Sequence, residues 1–417
     1  MLTVHERCHS IAPPRRQAVR TPVPGRAPAV RSQASGDTGT VRGGVECPIQ
    51  TRHRSLIVPA LVLACFTLSL RAADTLPARL SDEEFWRMVV DLSEPPGAFQ
   101  FENFVSNEIT FQRVIPELKK TVRPHGAYLG VGPEQNFTYI AALEPKIAFI
   151  IDIRRQNMLE QLLYKALFEL SNDRADFVSR LFSRPRPSGL HKASTADQLF
   201  RAFKYYFPDP RLFDRTLKEV ERTLTVVHHL PLTMADREAI ETIFKTFREG
   251  GPSISYAFDG RAPGLNSNHT YAALMTATDE DGVQWSYLAT EDHFRRVQEM
   301  QRKNLIVPLV GDFAGPKTLL AVGAYLKAHG AKVSVFYASN VEEYIRKPLG
   351  NYTRFCSSVA SLPVDAASSF IRWTSGTAPW TFLSSMTEFI DAFTGGRALP
   401  FEVRAANRRV LARISCN

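Results

Sequence analysis

The chain has 417 residues, of which 44% are hydrophobic and 22% charged, with a formal net charge of +9. Such a chain buries a large core in one to three domains, which excludes a fibre and a multi-span membrane protein. Most of the positive excess lies in residues 1–55, with nine Arg against three acids. The rest is near balance and has no basic stripe interleaved with aromatics, so nucleic acid is not an expected partner.

Residues 1–55 are rich in Pro, Arg, Gly, Ala and Ser without apolar periodicity, and read as a disordered basic extension. Residues 56–73 follow Arg52 and Arg54, carry an apolar run from Leu56 to Leu70 and end in Arg71-Ala72-Ala73, the order of a secretory signal peptide. The run falls short of the roughly 20 residues of a comfortable membrane span. "Val62-Leu63-Ala64-Cys65" also resembles a lipoprotein cleavage box, and a short membrane anchor is the other reading. The expected location is therefore exported, periplasmic or membrane-associated through this segment, and cytoplasmic if the leader is not genuine. Beyond it only Cys356 and Cys416 remain, a spacing that makes no zinc pattern.

Residues 74–125 read as a helical lead-in. Ser81 and Glu84 form a capping box for "LSDEEFWRMVVDLSE", and "FVSNEITFQRVIPELKKTV" reads as a second helix. Strand and helix then alternate: strand "AYLGVG", a helix over about 135–143, strand "IAFIIDI" and helix "MLEQLLYKALFEL". The strands are continuous apolar runs, which predicts a sheet covered by helices on both faces. Over 172–250 the strand signal vanishes, and amphipathic helices punctuated by proline predict a helical insertion. Alternation resumes with strand "VQWSYLAT", helix "EDHFRRVQEMQRK", strand "NLIVPLVGD", helix "KTLLAVGAYLKAHG" and strand "KVSVFYASN", while "SSFIRWTS" and "RVLARIS" read as edge strands. The expected fold is α/β, doubly wound and mostly parallel, made of residues 126–171 and 251–417.

The chemistry concentrates at "YLGVGPEQN". Gly130 and Gly132 permit a sharp turn out of the strand and close approach of a ligand to the amides of the next helix. Asp152 stands at the end of the following strand, where a carboxylate can accept two ribose hydroxyl bonds. A third glycine is replaced by Glu134, which disfavours a pyrophosphate and favours a positively charged, phosphate-free adenosine derivative. Glu134 and Asn136 are candidate cofactor contacts, with helix capping as their structural alternative. Glu291 is a candidate at the start of a later helix, where acids commonly partner the helix dipole. Asp312 closes a buried strand at the sheet's carboxyl edge and is the candidate catalytic residue, with Lys317 and Asn340 nearby. Arg180, Arg184 and Arg186 read as a solvated helix end or a grip for an anion, and His228-His229 as a helix end with no third metal ligand.

This order of Gly130, Gly132, Asp152 and Asp312 resembles a class I S-adenosylmethionine-dependent methyltransferase fold. The strings "LGVGPEQNFTYIAAL", "DRADFVSRLFSRPRP" and "NLIVPLVGDFAGPK" are similar to an uncharacterised bacterial family, over about Leu76 to Asp365. The resemblance implies S-adenosyl-L-methionine as cofactor and places Asp312 at the end of the fourth strand, beside which methyl acceptors sit. The aromatic acceptor tetrapeptide of such enzymes is absent from "GDFAGP". Two functions follow: methyl transfer to an unknown small-molecule or protein acceptor, or an exported or membrane-anchored, non-catalytic protein of the same fold that binds a ligand or partner.

Overall fold

The computed structural model describes residues 74–100, 102–256, 269–346, 348–374, 379–396, 399–405 and 408–414. The expected extension at 1–55 and leader at 56–73, with Cys416, lie outside them. In chain order the elements are helix α1 (Asp82–Leu92), α2 (Ile115–Thr121), strand β1 (Ala127–Val131), α3 (Gln135–Leu143), β2 (Ile147–Asp152), α4 (Arg155–Leu170), α5 (Arg174–Leu181), α6 (Ala196–Phe203), α7 (Pro210–Arg222), α8 (Met234–Gly250), α9 (Tyr271–Thr276) and α10 (Glu291–Arg302). They continue with β3 (Ile306–Val310), α11 (Thr318–Ala328), β4 (Val333–Ser339), α12 (Val341–Ile345), α13 (Leu349–Ala360), β5 (Ser369–Thr374), β6 (Trp380–Ser385), α14 (Met386–Thr394), β7 (Leu399–Ala405) and β8 (Arg408–Ile414).

Six strands form one sheet in the order β3-β2-β1-β4-β5-β6, parallel except for β6, which runs antiparallel to β5. From β1 the chain steps outward to β2 and β3, then returns across the sheet to β4 and moves on to β5. Right-handed crossovers therefore place α3, α4 and α10 over one face and α11 and α13 over the other. The contacts agree: α10 packs on α3 and α4, whereas α11 packs on α1 and α13, and α13 on α14. All six residues of β2 are buried, as a strand covered on both faces requires. The result is an α/β fold with a mostly parallel, helix-flanked sheet, compatible with a Rossmann-like architecture. Its topological switch lies between β1 and β4, the position at which open α/β sheets bind ligands beyond the carboxyl ends of their strands.

Local chemistry accounts for the elements that hold this frame. The Ser81 hydroxyl accepts from Glu84 N at 3.1 Å while the Glu84 carboxylate accepts from Ser81 N at 2.8 Å, the capping box expected for α1. Helices α5, α7 and α8 pack against α4, and their apolar faces join the same continuous core as the sheet. A polar knot ties α1 to this layer. His228, just beyond α7, bridges Asp82 at 2.7 Å and Glu169 at 2.6 Å, and the buried Lys165 donates to Glu169 and to Asn304 at 2.6 Å. His228 thus serves a structural ion cluster, and no metal-holding cluster occurs among the described residues. None of the described helices is long and apolar enough to cross a membrane.

Four expectations are corrected. Residues 283–290 form turns and no strand. Trp285 N donates to Gln112 Oε1 at 2.6 Å and Tyr287 N to Thr138 Oγ1 at 3.3 Å, so side chains take the hydrogen bonds that a ladder would need. Tyr287 is buried between Phe137 and Phe168, which explains the apolar signal. The helix expected over 104–122 begins only at Phe111 with one 3-10 turn before α2. The segment "SSFIRWTS" is an interior strand, β5, because β6 pairs along its outer side. Finally, "RVLARIS" forms β8 of a separate two-stranded sheet with β7.

Candidate functional site

At the switch point a cavity of about 350 Å³ opens across the carboxyl ends of β1 to β5. That is near the lower end of small-ligand sites, roughly 300–1,000 Å³. Gly132, Asp152 and Asp312 form one side of its lining, and Glu108, Ser339 and Trp373 the other. Adjacent strands lie about 4.8 Å apart, so the ends of β2 and β4 are separated by about 10 Å. Among the described residues the lining contains acids and aromatic rings but no Lys, Arg or His.

The glycine turn divides into two roles. Gly132 has φ +76°, and a Cβ there would meet nothing within 4 Å, so this residue supplies both the left-handed backbone and open access to the cavity. Gly130 lies inside β1, and a Cβ would stand 1.9 Å from Asn136 Oδ1 and 2.9 Å from Tyr128 Oη. Its small size serves packing; Gly130 does not line the cavity. Asn136 is likewise turned inward. Its Nδ2 donates to Val131 O at 2.9 Å, Gly132 O at 3.3 Å and Pro133 O at 2.8 Å, and its Oδ1 accepts from Tyr128 OH at 2.8 Å. It braces the turn from behind.

Glu134 is fully buried, outside the cavity lining, with Oε1 accepting from Ser106 N at 3.3 Å and Oε2 without a partner. Burial pushes its carboxyl up to about 8. It is therefore neutral near pH 7 and presents no negative charge to a ligand. Glu291 is held by Arg295 at 3.1 Å and Arg174 at 3.8 Å and takes no part in the cavity.

Asp152 lines the cavity, yet Arg154 grips it: Oδ1 accepts from Arg154 N at 2.9 Å and Nε at 3.1 Å, and Oδ2 accepts from Nη2 at 3.3 Å. A carboxylate offers about four lone-pair positions, so one on Oδ2 remains for a ligand where the sequence suggested two bonds. Asp312 lines the same side, with Oδ1 accepting from Ala314 N at 2.8 Å. It follows β3, which pairs with β2, and so stands at one end of the parallel set, separated from β4 by β2 and β1. The fourth-strand position assigned to Asp312 belongs to Ser339 and Asn340, because order along the chain counts one strand more than the sheet contains. Asn340 lines the cavity and donates to Glu343 at 3.2 Å, whereas Lys317 donates to Ser93 O at 2.8 Å. Arg186 pairs with Asp173 at 2.7 and 2.9 Å, and Arg180 with Asp176 at 3.3 Å. Arg184 donates to the carbonyls of Phe203 and Tyr206. This basic run is thus engaged within the protein.

Glu108 was hidden in text that reads as helix. The non-helical segment 104–110 brings it to the cavity wall, 2% exposed. Its Oε1 accepts from Tyr337 OH at 2.6 Å and from the Ser339 hydroxyl, and its Oε2 accepts from Gln135 Nε2 at 3.3 Å. Burial raises its carboxyl to about 7, against the opposing pull of those three bonds. A perturbed acid in a cleft at the sheet's switch point marks a functional candidate. The available signal was a lone acid within "FVSNEITF", an otherwise uncharged run.

No curated protein matches the chain. The matched family covers residues 103–391, a span that contains every lining residue named above. By that match the chain belongs to the family described as Domain of unknown function (DUF7790).

Proposed function

We propose that the cavity binds S-adenosylmethionine and that the protein transfers its methyl group to an acceptor. The observation that carries this reading is the convergence of Gly132 and Asp152 on one acidic, aromatic cavity with no cationic side chain among its described lining residues. Such a wall repels phosphates and suits an adenosine joined to a positive sulfonium. Gly132 lets the nucleoside approach the backbone, and the remaining Oδ2 lone pair of Asp152 accepts one ribose hydroxyl. The cofactor supplies an already activated methyl group, so the protein's own contribution is chiefly positioning. The acceptor lies towards the ends of β4 and β5, beside Ser339 and Trp373. A second reading, a ligand-binding protein without catalysis, draws on the Arg154 clamp, which occupies most of the carboxylate that would hold the ribose.

Calorimetric titration of the full chain with S-adenosylmethionine and with its demethylated product tests the reading. Saturable binding is expected, weakened about tenfold or more by Asp152→Ala through the loss of a charge-assisted hydrogen bond. Absence of heat and of any thermal shift at millimolar ligand would remove it.

A further inference from the structure

The half of the cavity over β4 and β5 has its own chemical character, set by what surrounds Glu108. Every polar contact of its side chain is with a neutral group: the hydroxyls of Tyr337 and Ser339 and the amide of Gln135. The other titratable side chains coupled to it are Tyr128 and Tyr139, each pushed further above the ordinary phenol value by burial. Ionised Glu108 is hydrogen-bonded yet buried without a counter-charge in contact, a costly state.

Around Glu108 donors are engaged while an acceptor remains. Tyr337, Ser339 and Gln135 all donate onto Glu108, and Asn340 donates to Glu343. Gln135, 1% exposed and lining the cavity, keeps an Oε1 with no partner. An anionic ligand would meet Glu108 with no Lys, Arg or His among the described lining residues. A neutral ligand would leave Glu108 uncompensated. Aromatic faces complete the site: Trp373 and Tyr337 line it, and Phe99 meets Tyr344 edge to face at 5.0 Å.

We propose that the β4–β5 half of the cavity is a binding site for an organic ammonium ion, whose N–H groups are received by Glu108 and by Gln135 Oε1 and whose apolar part lies against Trp373 and the neighbouring rings. The cation supplies the charge that Glu108 lacks, and ring faces favour it further. Below its pKa Glu108 carries a proton in the free protein, so docking of an ammonium ion sends that proton to solvent. This site stands on the cavity itself and survives if the cofactor reading fails.

The test uses the full chain without cofactor and a panel of probes: 2-phenylethylamine, benzylamine and cyclohexylamine, with 2-phenylethanol and phenylacetate as neutral and anionic counterparts. Calorimetry at about pH 6, in two buffers of different ionisation enthalpy, should show an amine bound about tenfold or more tighter than the alcohol, and no phenylacetate binding. It should also show proton release on amine binding, because a carboxyl raised to about 7 is mainly protonated at that pH. Glu108→Gln should abolish the preference and the proton release. The proposal is overturned if the alcohol matches the best amine, if no proton is released, if Glu108→Gln keeps the preference, or if no amine binds at millimolar concentration. Should Glu108→Gln fail to fold, the wild-type comparison decides alone. Amine preference without S-adenosylmethionine binding removes only the cofactor reading, and the converse removes only this one.

Discussion

Two glycines that look equivalent in "LGVG" should fail in different ways when replaced by alanine. In Gly130→Ala the new Cβ would sit 1.9 Å from Asn136 Oδ1 and 2.8 Å from Tyr128 Cε1, inside a hydrogen bond of 2.8 Å between Tyr128 and Asn136. Overpacking a core costs about 1–3 kcal/mol. Separating a buried hydroxyl from its amide acceptor costs about 1–3 kcal/mol more. The expected loss is therefore about 2–6 kcal/mol, a large part of the 5–15 kcal/mol typical of a folded domain. Gly132→Ala meets no atom within 4 Å, so it incurs only the left-handed backbone penalty of about 1–2 kcal/mol, while its methyl group enters the cavity. Urea denaturation measures both. In the pair Gly130→Ala and Asn136→Ala the shortest clash is gone, so the double variant should be at least about 1 kcal/mol more stable than additivity predicts. Additive losses, or a Gly130→Ala variant no less stable than Gly132→Ala, would refute this division of roles.

Protons linked to folding offer two further checks. Glu134 titrates at about 8 when folded against 4.5 unfolded, so its stabilising contribution is complete below pH 4.5 and is lost as pH rises through about 8; Glu134→Gln should flatten the measured fall in stability over that window. At His228 burial pulls the pKa down, but the hydrogen bond and charge of Glu169, with the Asp82 bond, outweigh it and the net shift is upward. Its contribution is full below the unfolded value of 6.5 and disappears as pH rises through the higher folded value, so His228→Gln should be most destabilising in acid melts and least in alkaline ones, and a pH-independent loss would exclude the charged bridge.

Much of the frame was legible because its signals are local. The capping box at Ser81 and Glu84 depends on residues three apart, and continuous runs such as "IAFIID" identify strands buried on both faces whatever their neighbours. Gly132 and Asp152 meet at one cavity because a strand–helix–strand unit of that length returns the chain beside its start. What was hidden depends on partners distant in sequence. Whether 283–290 is a strand turns on Gln112 and Thr138, and whether β5 is an edge turns on β6. The inward turn of Gly130 follows from Tyr128 and Asn136, which no spacing rule reports. Asp312 was set one strand too far along because the false strand at 283–290 shifted the count.

The acid expected to face a cation from the glycine turn is present in sequence but neutralised by burial, and its place is taken by another. Glu134 Oε1 receives Ser106 N at 3.3 Å, and Ser106 Oγ receives Glu108 N at 3.1 Å. These bonds run from the first turn of α3 into the extended segment that carries Glu108 to the cavity wall. Glu134 is thus a positioning residue: kept as a neutral acid, it secures a neighbouring strand of chain without adding charge of its own. Glutamate in place of a third glycine keeps the backbone amide, and its buried side chain anchors the segment that carries a carboxyl to the opposite side of the cavity. The departure from a dinucleotide motif, a buried acid in place of the third glycine, therefore leaves the acid that a cation can meet at the β4 end and not at the turn.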